Sequence, residues 1–370
     1  MCSLLKSEHK NKTTLAIICI LLLLSYVFWS MSVHACGRAE REYGKLIQMR
    51  LGDEPLSVSH VASILEKRDF ENEDTKYTAW SQKSGINVEN ESLGTRAGLD
   101  TALYYYGDNY GKFNLIRDNG CALSKNAAFK LFGTTQGVLG EFVIIDGERY
   151  VVEKLIYGGA VPLIYKVKGE NTDNSFDVLD IIPGQETAFS ASELQMSVGV
   201  NSDIVINYED VIKSFSALGK FVLWVALIFA ALYLLSGITR GANELFSRTV
   251  MYGGLFLAAF GCYILVGPPV FIPDNFIPTR WSEFEFWSAV FTQFGDALKY
   301  YFSMKTYAPD LVFRSYILQT LTFALISAVL IIFASAAGRG IIKERGTEIG
   351  TSNFKEYYET ICGKFQAGSS

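Results

Sequence analysis

Four apolar runs, Thr14–Val33, Gly219–Ile238, Val250–Phe271 and Ile317–Gly338, constrain this chain more than any other feature. Each is about 20 residues long, enough for an α-helix to span roughly 30 Å of hydrocarbon. Hydrocarbon offers the backbone no hydrogen-bond partner, so such runs enter a bilayer as helices. The chain therefore reads as an integral membrane protein with four transmembrane helices and one large extracytoplasmic α+β domain. The predicted divisions are a tail over 1–13, a span over 14–33, the domain over 34–215, a span over 219–238, a short loop over 239–249, a span over 250–271, a longer loop over 272–316, a span over 317–338 and a tail over 339–370.

Lys and Arg beside the spans set the orientation. Lys6, Lys10 and Lys12 precede the first span, Arg240 and Arg248 follow the second, and Arg339, Lys343 and Arg345 follow the fourth. Four spans place these segments on one face, so both termini are expected in the cytoplasm of a cell membrane. The domain is acidic, with 27 Asp+Glu against 18 Lys+Arg over residues 36–215, a net of −9. That balance speaks against a nucleic-acid or anionic-lipid surface on the domain; membrane lipids around the spans are expected partners. Cys36 and Cys121 alone among six cysteines face outward, as a disulfide or as two thiols, so there is no disulfide framework.

Within the domain, Tyr43, Leu46, Ile47, Met49 and Leu51 recur near helical spacing, and so do Val58, Val61, Ile64 and Leu65 after Pro55 and a Ser57 N-cap. From about Leu103, short β-rich runs alternate with Gly, Asn and Asp. Asp146-Gly147 between two such runs predicts a hairpin, and Ser124–Phe132 a short helix closed by Gly133. Strands are expected at Leu163–Val167, Val178–Ile182 and Met196–Gly199, and a helix over Ser202–Phe215. Gly94–Gly98 reads as a turn. In the longer loop, Phe284, Trp287, Phe291, Phe294, Leu298 and Tyr301 suit an aromatic amphipathic helix in the outer interface, or one packed on the domain.

The chemical inventory is thin. His9, His34 and His60 are the only histidines, and none has metal-ligand spacing. There is no P-loop and no pattern for a catalytic, cofactor or metal site, so the chain is not expected to be an enzyme. The spans hold no Asp, Glu or Arg, and Lys220 sits at an edge, which speaks against an ion-coupled pathway through them. Gly253, Gly254, Ala258, Ala259 and Gly261 in the third span, and Ala324, Ser327, Ala328 and Ala334–Ala337 in the fourth, allow close helix packing within the chain or with a second subunit.

The order of one span, a domain and three spans resembles the MacB/FtsX-type (type VII) ABC transporter permeases. The stretch Cys121–Gly133, ending in Leu131-Phe132-Gly133 and followed by Gly140, Gly147 and Tyr150-Val151-Val152, is similar to a segment of the MacB-like periplasmic core domain. The resemblance implies a permease subunit working by mechanotransmission, in which a separate cytoplasmic ABC ATPase drives movement of the outer domain. A second permease, identical or homologous, is implied as a partner. Substrate would be a peptide, lipid or antimicrobial, or the output a transmembrane signal. The loop after the second span would carry the ATPase-coupling residues, here Arg240, Glu244, Leu245, Phe246 and Arg248. Lys343–Gly350 echoes the same pattern after the fourth span. The alternative is a membrane-anchored extracellular binding or sensor module without energy coupling.

A basic start and Val33-His34-Ala35-Cys36 also resemble a signal peptide with a poor lipobox, but the apolar run exceeds the usual length for one. Intact-mass measurement of the purified protein is expected to show this first span retained; a chain starting at Cys36 would contradict it.

Overall fold

The computed structural model describes residues 2–52, 54–71, 74–156, 161–169, 174–184, 191–202, 204–239, 244–268, 288, 292, 295, 299, 303 and 305–366. Residues 2–11, 191–193, 238, 244–247 and 340–366 are described by backbone alone. In chain order the elements are α1 (Cys2–Tyr43), β1 (Ile47–Arg50), β2 (Leu56–Ser57), α2 (Val58–Glu71), β3 (Lys76–Asn90), β4 (Arg96–Gly107), β5 (Gly120–Ser124), α3 (Lys125–Phe132), β6 (Phe142–Ile145), β7 (Glu148–Ile156), β8 (Leu163–Lys166), β9 (Ser175–Phe176), β10 (Val178–Ile182), α4 (Ala191–Val198), β11 (Ile204–Asn207), α5 (Tyr208–Ile238), α6 (Glu244–Val266) and α7 (Ala308–Gln366). They divide into two units, one of residues 1–36, 213–272 and 318–370, the other of 37–212 and 273–317.

The first unit holds the apolar helices. Among the described residues four helical segments are long and apolar enough to cross a membrane: Lys12–Tyr43, Tyr208–Gly237, Arg248–Val266 and Ala308–Arg339. In this unit α1 meets α7 through hydroxyls. Ser25 and Ser327 exchange hydrogen bonds at 2.9–3.1 Å, and Ser32 Oγ donates to the Thr320 carbonyl at 2.7 Å. Small side chains permit that approach: Ala324, Ser327 and Ala328 are buried, and a Cβ on Gly219 would lie 3.6 Å from Ala324. The third run behaves differently. A Cβ on Gly253 or Gly261 would meet nothing within 4 Å, so only Gly254, against Leu235, marks a close approach there. Helix α6 stops at Val266, short of Phe271, because Gly267 turns left-handed at φ 82° and Pro268 cannot continue the ladder.

The second unit is built on a nine-stranded sheet in the order β11-β1-β10-β3-β4-β8-β5-β7-β6. The long hairpin β3–β4 organises it. The start of β3 pairs with β10, while its end, Val88–Asn90, pairs with Ile145–Val143 of β6. That second pairing joins β3, β4, β8, β5, β7 and β6 into a closed circuit, which leaves these strands few free edges. On one face, α2, α3 and α4 bury Val61, Ile64, Ala128, Leu131, Leu194 and Val198 against the sheet. On the other, Trp80, Leu103, Tyr105, Phe113, Leu115 and Val178 form a separate core with Tyr307 and Ala308.

Three sequence expectations are overturned. The residues after Tyr43 form strand β1, not helix. Gly44 closes α1 by bonding back to Glu40, and Ile47–Arg50 then pairs with β10 on one side and β11 on the other. All four β1 residues are buried, so polar Gln48 and Arg50 carry no solvent signature. Met196–Gly199 is the end of helix α4, because Leu194 and Val198, four apart, share its buried face, and Gly199 at φ 67° terminates it. The helix expected over Ser202–Phe215 begins only at Tyr208; the β-branched run Ile204–Ile206 is drawn into the sheet by β1. Strand β3 was hidden in sequence by Ser81-Gln82-Lys83-Ser84, a polar stretch that pairs along β4. The aromatic positions expected between 284 and 301 lie outside the described residues.

Gly107 ends β4 at φ 119°, where a Cβ would lie 2.4 Å from the Tyr77 carbonyl oxygen. Gly107→Ala is expected to destabilise the domain by about 3 kcal/mol, read as a fall in the detergent-solubilised protein's melting temperature.

Candidate functional site

The motif that carries the family resemblance folds as one local unit. Ser124 ends β5 and accepts the Ala127 N–H at 3.1 Å, capping α3. Leu131 is buried, Phe132 is half-buried against the core, and Gly133 takes the left-handed conformation that ends the helix. Gly140 donates its N–H to Val152 at 2.8 Å, and Asp146 and Gly147, both at positive φ, make the two-residue turn between β6 and β7. Asn90 at the end of β3 donates to the Leu131 carbonyl at 3.2 Å. These residues hold the domain together and present no reactive group. Cys121 is a buried thiol in β5 whose pKa burial pushes up.

Of the coupling candidates, Arg240 lies outside the described residues. Glu244, Leu245 and Phe246 open helix α6 and are described by backbone alone, and Arg248 follows in the next turn. Among the described residues no group of three His, Cys, Asp or Glu could hold a metal ion.

The site that sequence reasoning missed lies in the second unit, where the ends of three helices meet the sheet. Asp310, in the first turn of α7, accepts Arg50 Nη2 of β1 at 2.6 Å, with the two side chains 1 % and 7 % exposed. Its other oxygen accepts the Tyr307 N–H at 2.8 Å, so one carboxylate is both helix cap and ion-pair partner. The next free N–H of the helix, that of Ala308, donates to Gln82 Oε1 of β3 at 2.8 Å. Tyr43, the last residue of α1, donates its hydroxyl to the Pro309 carbonyl at 3.2 Å. The rings of Tyr43, Tyr208 and Phe313 contact one another with centroids 4.6–5.3 Å apart, so α1, α5 and α7 each contribute one.

A polar chain leads from these rings into the sheet. Tyr208 donates its hydroxyl to Gln48 Oε1 at 3.0 Å, Gln48 Nε2 donates to Asp180 at 2.7 Å, and Tyr110 donates its hydroxyl to the other Asp180 oxygen. Burial pushes the Asp180 carboxyl above the usual carboxylate range, and Lys112 and the two hydrogen bonds oppose that shift. Burial likewise lowers Lys112, which lies over the rings of Trp80 and Phe113. Burial is the largest single influence on Arg50 and works against its charge, but Asp310, Tyr208, Asp180 and Tyr307 together hold the guanidinium above its ordinary value. Arg50 stacks over Tyr307 at 4.6 Å, while its Nε and Nη1, and Trp80 Nε1, are buried without a hydrogen-bond partner among the described residues.

The arrangement fastens the start of α7 to β1 and β3 and the start of α5 to β1. Tyr307-Ala308-Pro309-Asp310 did carry a readable signal, a proline in the first turn followed by an acidic residue, which marks a helix start ahead of the apolar run. A second feature, a cleft of about 240 Å³ between α2 and α4, has a floor of Ile64, Tyr77, Ile181 and Leu194.

No family model and no curated protein matches the chain. Among solved structures it is similar to the periplasmic region of MacB from Actinobacillus actinomycetemcomitans, at 13% identity over 47% of this chain and 94% of that one, with a TM-score of 0.34. It is also similar to the extracellular domain of the noncanonic ABC-type transporter YknZ from Gram-positive bacteria, at 14% identity over 44% and 98%, with a TM-score of 0.28.

Arg50→Ala would strand a buried carboxylate and is expected to cost about 3–5 kcal/mol. Arg96→Ala, which removes an exposed pair with Glu89, is expected to cost at most about 1 kcal/mol in the same denaturation experiment. Asp180 adds a pH dependence. Because its folded pKa is raised, the folded state binds the extra proton, and its contribution to stability falls as pH rises from the ordinary value of 3.8 through the folded pKa. Asp180→Asn is expected to flatten that part of the stability–pH profile.

Proposed function

We propose that this chain is the permease subunit of an ABC transporter of the mechanotransmission type. The observation that carries the reading is the order of parts: an apolar helix, an α+β domain containing the capped α3 with its Leu131-Phe132-Gly133 end and the β6–β7 hairpin, then three more apolar helices. In this reading the helices cross the cell membrane with both termini in the cytoplasm, and the domain lies outside. Spans without Asp, Glu or Arg suit helices that transmit movement and need not line a polar path. The chain itself performs no chemistry. ATP is hydrolysed by a separate cytoplasmic ABC ATPase, which docks on Arg240, Glu244, Leu245, Phe246 and Arg248. A second permease, identical or homologous, completes the unit. The energy serves export or extraction of a peptide, lipid or antimicrobial, or signalling to the outside.

Purification from the native host in mild detergent tests this. An ATP-binding subunit is expected to copurify, and Glu244→Lys to cut its ATPase activity about tenfold or more, since reversing a charge at a contact costs several kcal/mol. A pure protein that binds no such subunit, and whose function tolerates Glu244→Lys and Phe246→Asp, would instead identify a membrane-anchored binding or sensor module.

A further inference from the structure

We infer that the buried Arg50–Asp310 pair is the joint through which movement of α7 reaches the sheet, so that Arg50 and Asp310 are positioning residues for energy coupling; this rests on the permease reading. Three observations lead there. First, α7 is one unbroken helix from Ala308, and its free N-terminal N–H groups are met by Asp310 and by Gln82 of β3. A shift of the helix along its axis must break those bonds or carry β1 and β3 with it. Second, the ring contacts of Tyr43, Tyr208 and Phe313 tie the other two helix ends to the same point. The bonds from Tyr208 through Gln48 to Asp180 continue into β10, next to β3. Packed interiors of this kind move as blocks.

Third, the pair is poorly explained as a stabilising device. A buried ion pair recovers little beyond its desolvation cost, and an apolar pair of similar volume generally packs as stably. Here the cost is larger still, because Arg50 Nε and Nη1 and Trp80 Nε1 have no partners among the described residues. What the pair does supply is direction. A guanidinium stacked on Tyr307 and bonded to a capping carboxylate fixes the first turn of α7 in one register on β1, as an apolar contact does not.

The test uses the full chain purified with its ATPase. Spin labels are placed at Leu93, on the exposed turn between β3 and β4, and at exposed Leu318 of α7, and their separation is measured with and without a non-hydrolysable ATP analogue. The double variant Arg50→Met/Asp310→Leu removes the pair without stranding a charge. Asp310→Asn, which keeps an acceptor for the Tyr307 N–H, is the second variant. The double variant is expected to stay folded with a melting transition lowered only by the lost cap, and Asp310→Asn, which leaves Arg50 buried without its carboxylate, with a larger drop. In both, the ATPase rate per folded protein is kept while the nucleotide-driven change in separation falls at least about twofold. A full wild-type change in either folded variant overturns the joint and leaves the permease reading standing. Loss of ATPase, melting transition and distance change together, in proportion to folded protein, also overturns it, since that is a structural role. A wild-type separation that ignores nucleotide overturns the permease reading and the joint with it.

Discussion

The first turn of α7 has to satisfy its free N–H groups inside a protein interior, and the solution to that problem organises the second unit. Asp310 reaches back to Tyr307, and Gln82 comes across from β3 to Ala308. Once a carboxylate is buried there, a cation has to be buried with it, and β1 supplies Arg50. Once Arg50 is inside, its flat face needs a ring, and Tyr307 and Trp80 provide them. One capping requirement thus draws together a helix start, strand β1 next to the sheet edge and the aromatic core on that face of the sheet.

The same logic explains the polar residues inside β1. A strand flanked by β10 and β11, and covered on both faces, would ordinarily be apolar throughout. Gln48 and Arg50 are tolerated because each has a dedicated partner, Asp180 and Asp310. Asp180 in turn is tolerated because Tyr110 and Gln48 donate to it and Lys112 lies close enough to oppose its shift. The cluster is near balance when every member is present, which makes the loss of one partner costly and the loss of a matched pair much less so.

The motif around Leu131, Phe132 and Gly133 belongs to another level of organisation. It is local in sequence, complete in its capping, and packed against β3, β4, β5 and β7. It lies on the face covered by α2, α3 and α4, whereas Trp80, Tyr307 and the start of α7 lie in the other core. A pattern recognisable in sequence and the residues that fasten α7 to the sheet are therefore not the same residues.

The sequence by itself determined whatever depends on neighbours along the chain. Apolar length marked four helices, Ser124 and Gly133 bounded α3, and Asp146-Gly147 placed the β6–β7 turn, because caps, turns and hydrophobic runs act over a few residues. Tertiary structure decided whatever depends on distant partners. Ile47–Arg50 and Ile204–Ile206 became strands because each completes the other's ladder across more than half the domain. Met196–Gly199 became the end of a helix because Leu194 and Val198 had a core to cover. Arg50 and Asp310 stand 260 positions apart, and each alone looks like a solvated surface charge. Only the fold, by removing both from water at once, makes them a pair.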